Sequence, residues 1–200
     1  MKQITFTPGN WEQEGLELAY SWRFEELPEF VQEADCIRNS ASLPGSCQNG
    51  GYDYMGLMLP ETYGAGTKLT VRCSFAATEG GSGAPMLTIA DRCEVDENGV
   101  LRTLDYYEVV IWHRGMNLWR LHTEDRQVHH YLVAGLSFPL KMDTMHTLSA
   151  ELKDNRMMIS VDDQMADLFV SDMPEQYRIG YTACEGICKL FDMTVEEVQP

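Results

Sequence analysis

Short runs of alternating apolar and polar residues recur along almost the whole 200-residue chain, and this period of two most constrains the fold. It places alternate side chains on opposite faces of a β-strand, whereas a helix needs a period near 3.6. Helical signals are confined to 25–33, where Pro28 limits any helix to a turn or two. The predicted strands are 3–7, 16–24, 52–59, 67–76, 85–92, 106–113, 117–123, 128–133, 146–152, 156–161, 165–170, 177–183 and 188–195.

Turn residues separate these runs as hairpin connections would. Asn98 and Gly99 supply left-handed positions for a tight turn, and 153–155 and 162–163 join further predicted strands. Many short strands with almost no helix predict an all-β chain, either a two-sheet sandwich or a barrel. Residues 35–52 form one long irregular loop, and no linker or repeat divides the chain. We therefore expect a single β-sandwich domain over 1–200.

The charge balance restricts the partners. Lys and Arg total 15 against 31 Asp and Glu, which gives a net charge of −16. Such a chain repels phosphate backbones and anionic membrane surfaces, so neither nucleic acid nor a membrane is an expected partner. The first residues contain no apolar segment of the signal-peptide type, and a cytoplasmic location is expected.

The six cysteines do not form a metal-binding pattern. Cys184 and Cys188 are four residues apart, and no second closely spaced pair accompanies them. We expect reduced thiols, with Cys73 and Cys93 as small core side chains, and no cofactor or metal. A Cys36–Cys47 bridge closing the early loop stays open as an alternative in an oxidising compartment.

From about Thr67 onward, the order of predicted elements resembles that of the concanavalin A-like lectin/glucanase superfamily. The segments that carry the resemblance are 69–75, 107–111 with 117–120, 146–152 with 156–162, 178–181 and 191–195. The paired segments at 146–162 are similar to laminin-G-like and 3-keto-disaccharide-hydrolase-like bacterial members. The resemblance implies a two-sheet antiparallel jelly-roll sandwich whose concave sheet meets a saccharide. The E-x-D-x-x-E strand of the glucanases is absent, so the resemblance does not imply catalysis.

The central hairpin offers a residue-level test for a saccharide site. A three-residue turn at 114–116, with Gly115 in a left-handed conformation, sorts the two strands by polarity. One face then carries Tyr107, Val109, Ile111, Trp119 and Leu121. The open face, extended by the next strand, carries Glu108, Trp112, Arg120, His122, His129 and Tyr131. Aromatic rings with fork donors and carboxylates are the mixture that sugars need.

Three functions follow from this open face. The first is binding of an oligosaccharide or sugar derivative by Trp112, Arg120, His122, His129 and Tyr131. The second is glycoside hydrolysis by a carboxylate pair, Glu108 and Glu185. The third is a non-catalytic interaction surface, with a homo-oligomer possible. The facing histidines are metal-ligand types, but a third ligand is only inferred, so no metal site is predicted.

Overall fold

The computed structural model describes residues 1–5, 15–23, 30–39, 54–78 and 81–197. Within these ranges the chain forms strands and turns and no helix. The strands are β1 (Lys2–Thr5), β2 (Glu17–Ser21), β3 (Phe30–Gln32), β4 (Ile37–Asn39), β5 (Met55–Met58), β6 (Tyr63–Gly64), β7 (Thr67–Phe75), β8 (Ala77–Thr78), β9 (Gly81–Ser82), β10 (Ala84–Val95), β11 (Leu101–Trp112), β12 (Gly115–Glu124), β13 (Gln127–Ser137), β14 (His146–Lys153), β15 (Arg156–Val161), β16 (Gln164–Phe169), β17 (Gln176–Cys184) and β18 (Cys188–Glu197).

The described residues form two eight-stranded sheets, as the sequence predicts for a jelly-roll sandwich, and a two-stranded sheet of β8 and β9. The first sheet has the order β16-β15-β14-β7-β18-β4-β3, with β1 added beside β18. The second has the order β10-β17-β5-β2-β11-β12-β13, with β6 beside β17. Strand β3 falls within 25–33, where the sequence predicted at most a helical turn, and β4 lies near the start of the predicted long loop at 35–52. Residues 40–52 of that loop, with Cys47, lie outside the described residues.

The main core lies between the two sheets. Strands contribute alternate side chains to it, so Leu69 and Val71 of β7 and Val109 and Ile111 of β11 all belong to this core and are fully buried. This alternation is the predicted period of two, and burying one face of each sheet is what holds the layers together. Among the described residues, no helix is long and apolar enough to cross a membrane.

A second, smaller core lies on the other side of the second sheet. Strand β10 pairs with β11 as well as with β17, so β10, β17, β5, β2 and β11 close into a ring. Tyr20, Tyr54 and Met86 are buried together there, and Tyr106 and Leu121 form a neighbouring cluster. This ring covers much of a face that the sequence analysis expected to be open.

The predicted register of the central hairpin is wrong. The turn has two residues, His113 and Arg114, and Trp112 pairs directly with Gly115. Gly115 belongs to β12 at φ +146, where an added Cβ would lie 1.9 Å from the carbonyl oxygen of Leu136 on β13. The glycine therefore serves the close approach of β13 and not the turn. The slip exchanges the faces of β12, so Arg120 and His122 lie opposite the face of Trp112.

Candidate functional site

The side of the second sheet that points away from the main core is called the outer face below. Tyr107, Val109 and Leu118 belong to the main core, so Glu108, Trp112 and Trp119, which alternate with them, belong to the outer face. Glu108 lies directly opposite Trp119 in the β11–β12 ladder. His130 of β13 pairs with Leu121 and extends the same face.

An ion pair between Arg23 and Glu108 lies at the centre of the outer face. The Nη2 group of Arg23 donates to Oε1 of Glu108, which is only 2% exposed. Burial raises the pKa of Glu108, the Arg23 charge opposes that rise, and the nearby charge of Glu185 adds to it. The Arg23 cation thus offsets part of the cost of burying this carboxylate.

The residues preceding Arg23 fix its position. The guanidinium carbons of Arg102 and Arg126 lie 4.5 Å and 4.4 Å from the ring centroid of Trp22, so the indole contacts one cation on β11 and another in the β12–β13 turn. Ser21 accepts a hydrogen bond from the Tyr106 hydroxyl at 2.7 Å. The two residues before Arg23, Ser21 and Trp22, are therefore both held in place, which positions the Arg23 side chain beside Glu108.

The accessible part of the outer face is aromatic. Trp112 and Trp119 are each half-buried, and Asn117 lies between them on β12. Gly135 faces Asn117 on β13, and a Cβ there would lie 2.9 Å from the Asn117 side-chain oxygen, so the glycine leaves room for this amide. Two indoles, an amide and a buried ion pair thus share one face.

The remaining predicted binding residues lie on the side of the second sheet that points toward the first sheet, called the inner face below. They are located beyond the end of the main core. Arg120 binds Asp91 through two hydrogen bonds of 3.0 Å and lies 4.6 Å above the Tyr107 ring. His122 bonds Asp105, and it pairs across the ladder with His129. Tyr131 pairs with Arg120 and is 57% exposed. The structure brings Arg120, His122, His129 and Tyr131 together, as predicted, but separates them from Trp112 and Glu108.

The predicted carboxylate pair is close enough to interact. Glu185 lies in the turn between β17 and β18 with φ +63, and its charge acts on Glu108. Glu185 is exposed whereas Glu108 is sealed, so their environments differ strongly. The facing histidines do not complete a metal site: across the described ranges, no group of three His, Cys, Asp or Glu side chains could hold an ion.

A second arrangement imitates a nucleophile, base and acid but is structural. His146 Nδ1 lies 2.7 Å from Asp162 Oδ2, and its Nε2 lies 3.3 Å from the Thr144 hydroxyl. The same Nε2 is 2.8 Å from the Lys141 carbonyl, to which the Thr144 hydroxyl also donates at 2.7 Å. Because Nε2 donates to that carbonyl, it is not available as a base toward Thr144. The imidazole instead holds the 138–145 connection against β14.

Comparisons with known proteins show the fold. Neither a family model nor a curated protein matches the chain. The carbohydrate-binding module CBM66 from Bacillus subtilis is similar over 85% of this chain and 92% of its own, at 12% identity and a TM-score of 0.60. A protein of unknown function with a galectin-like fold, also from Bacillus subtilis, matches over 98% and 95%, at 12% identity and 0.66. The exoplasmic/lumenal domain of VIP36, in its Ca2+/Man3GlcNAc-bound form, matches over 100% and 92%, at 10% identity and 0.62.

These matches and the two-sheet topology define the class of fold: the chain is an all-β jelly-roll sandwich. At 10–12% identity, the likeness establishes the shared architecture alone.

Sequence reasoning missed several residues of the outer face, namely Trp22, Arg23, Asn117, Trp119 and His130. The Trp22–Arg23 dipeptide is visible in the sequence, but its partner Glu108 is 85 positions away, and no local pattern connects them. Trp119 was assigned to the core because the predicted register placed it there.

Proposed function

We propose that the chain binds a saccharide on its outer face, over Trp112, Asn117 and Trp119. The observation that carries the proposal is the sharing of one face by two half-buried indoles and the buried Arg23–Glu108 pair, with Glu108 opposite Trp119. Indole faces contact the C–H groups of a sugar ring, and the amide of Asn117 can donate to and accept from hydroxyls.

The charge near the site favours neutral sugars. The Arg23 cation is balanced by Glu108, and Glu185 adds a negative charge nearby. The net charge of −16 acts in the same direction, because it repels anionic polymers at a distance. The solved structures that share this fold support a glycan ligand, since they include a carbohydrate-binding module and the VIP36 domain in its Ca2+/Man3GlcNAc-bound form.

Binding of monovalent oligosaccharides, measured by calorimetry after a glycan-array screen, tests this proposal. We expect Trp119→Ala to weaken binding about fivefold, since an aromatic stacking contact is worth about 1 kcal/mol. Tyr131→Ala is the matched control, because Tyr131 is an accessible aromatic residue on the opposite face of the same sheet. If Tyr131→Ala weakens binding and Trp119→Ala does not, the saccharide site lies instead on the inner face, in the group around Arg120. An array on which no glycan binds would remove the saccharide proposal altogether.

Hydrolysis is a second candidate, favoured by the raised pKa of Glu108 beside Glu185. A carboxyl group with a raised pKa is the type that serves as the general acid of a glycosidase, and a second carboxylate completes the pair. We expect Glu108→Gln to abolish release of reducing sugar from a bound oligosaccharide while binding is retained. If the wild-type protein binds the oligosaccharide but releases no reducing sugar from it, hydrolysis is excluded and saccharide binding alone is supported.

A further inference from the structure

Four charged or imidazole side chains form one row across the inner face of the second sheet. Arg92 of β10 pairs with Asp105 of β11 in the strand ladder. Asp105 pairs in turn with His122 of β12, and His122 pairs with His129 of β13. Direct neighbours in an antiparallel sheet have Cβ atoms about 5 Å apart. The two imidazoles therefore lie side by side, at the end of a row that begins with an ion pair.

Asp105 fixes the tautomer and the orientation of the first imidazole. Its Oδ2 accepts a hydrogen bond from Nε of Arg92 at 2.6 Å, and its Oδ1 accepts one from Nδ1 of His122. A neutral imidazole that donates through Nδ1 carries its lone pair on Nε2. Because Nδ1 is directed toward β11, Nε2 is the nitrogen of His122 that is left for a ligand.

Both histidines are accessible to an ion from solution. The His122 side chain is 46% exposed, and His129 is exposed as well. Among the described residues, no third His, Cys, Asp or Glu joins them in a group that could hold an ion. The pair therefore does not complete a coordination sphere by itself, and an ion held here keeps positions for water.

We propose that His122 and His129 together chelate a divalent late transition-metal ion of the Zn²⁺ type, with Asp105 as the positioning residue behind His122. Imidazole donors suit Zn²⁺, Ni²⁺ and Cu²⁺, whereas Ca²⁺ and Mg²⁺ prefer oxygen ligands. A carboxylate behind a ligating imidazole fixes its tautomer and raises its basicity, as it does at many metal sites.

The charge of the whole chain acts in the same direction. A net charge of −16 raises the local concentration of cations around the molecule, and the nearby Arg92 cation is balanced by Asp105. The row lies on the face opposite to Trp112 and Trp119, so the proposal does not depend on saccharide binding.

Calorimetric titration of the full chain with zinc chloride tests the proposal, in excess Mg²⁺ so that exposed carboxylates are already occupied. We expect His122→Asn and His129→Asn each to weaken Zn²⁺ binding by about tenfold or more, since each leaves a single imidazole. Asp105→Ala should weaken it about tenfold, the loss typical of removing a partner behind a ligand. His130→Asn is the matched control, because His130 is exposed next to His129 on β13 but lies on the other face of the sheet. It should leave the affinity unchanged.

A wild-type chain that binds no Zn²⁺ under these conditions overturns the proposal. So does binding that is equally strong in the wild type and in both histidine variants, because other groups then hold the ion. Equal losses in His129→Asn and His130→Asn also contradict it.

Nitrogen NMR of the imidazole rings distinguishes chelation from an indirect effect of a substitution. Zn²⁺ should shift the Nε2 resonance of His122 together with a ring resonance of His129, and shifts confined to other histidines overturn the proposal. In Asp105→Ala, whose folding circular dichroism checks, the Nδ1–H tautomer of His122 should no longer predominate. An unchanged tautomer with unchanged affinity overturns the positioning role of Asp105.

Discussion

Two buried tyrosines show how differently single hydroxyl groups contribute to this fold. The Tyr106 hydroxyl donates to Ser21 at 2.7 Å, whereas the Tyr181 hydroxyl is buried without a hydrogen-bond partner in the part of the chain that the structure describes. Burial raises the pKa of both phenols, so both are neutral at ordinary pH. A buried hydroxyl without a partner costs free energy, whereas a bonded one contributes roughly 1 kcal/mol.

Removing the Tyr181 hydroxyl is therefore expected to stabilise the protein. Tyr181→Phe should raise the free energy of unfolding by up to about 1 kcal/mol, and Tyr106→Phe should lower it by about the same amount. Urea denaturation followed by tryptophan fluorescence measures both variants. A loss of stability in Tyr181→Phe equal to that in Tyr106→Phe would mean that the Tyr181 hydroxyl is in fact bonded.

Glu33 is a charged residue whose ionisation state should set acid stability. It accepts hydrogen bonds from Arg38 at 2.6 Å and from Lys189 at 2.7 Å, which joins the β3–β4 hairpin to β18. The bond from Lys189, followed by that from Arg38, lowers the pKa of Glu33 from 4.5 to about 2. Because the folded pKa lies below the unfolded one, this stabilisation is present above pH 4.5 and is lost as the pH falls toward 2.

We expect Glu33→Gln to lower the stability at pH 7 and to flatten its decline between pH 4.5 and pH 2. Urea midpoints measured across that window test the prediction. Glu97→Gln, at a carboxylate that pairs with Arg126 in an exposed turn, is the control and should follow the wild-type profile. Equal acid profiles for wild type and Glu33→Gln would contradict the assignment.

At the scale of elements, Gly115 determines how closely β12 and β13 approach. An added Cβ would lie 1.9 Å from the Leu136 carbonyl oxygen, and the residue has φ +146. We expect Gly115→Ala to destabilise the fold by about 2–3 kcal/mol, since both the contact and the backbone conformation are unfavourable. Gly99 is the control: its φ is +78, but an added Cβ would meet open space. Gly99→Ala should cost only about 1–2 kcal/mol.

The pairing of particular strands was harder to predict than their existence. Alternation correctly located β7, β14 and β15, because one face of each is buried and their side chains sort by polarity. The same sorting failed at β12, where Arg120 and His122 share a face with core residues but lie past the end of the core, bonded to Asp91 and Asp105. The polarity of a side chain indicates whether it is buried, not which face of the sheet it lies on. Where the inner face extends beyond the opposing sheet, its residues are not buried and can be polar.

At the scale of the whole molecule, the sequence predicted the sandwich but not the ring that closes its outer side. That ring depends on β2 pairing with β5 and with the start of β11, contacts between segments distant in the chain. It buries Glu108, which the sequence analysis expected to be open. The candidate site changed accordingly from the predicted group to Trp112, Asn117 and Trp119, because only tertiary pairing reveals which parts of a face stay accessible.

The net charge of −16 acts on the stability of the molecule as a whole. Long-range repulsion among 31 acidic side chains destabilises the compact state, whereas exposed pairs such as Arg126–Glu97 contribute little. Salt screens both, with a Debye length of about 30 Å at 0.01 M and about 10 Å at 0.1 M. Since the repulsion acts over longer distances, we expect the urea midpoint at pH 7 to rise as NaCl increases across that range. Arg126→Ala should preserve the rise, and a midpoint that falls with salt would show that the short-range ion pairs outweigh the repulsion.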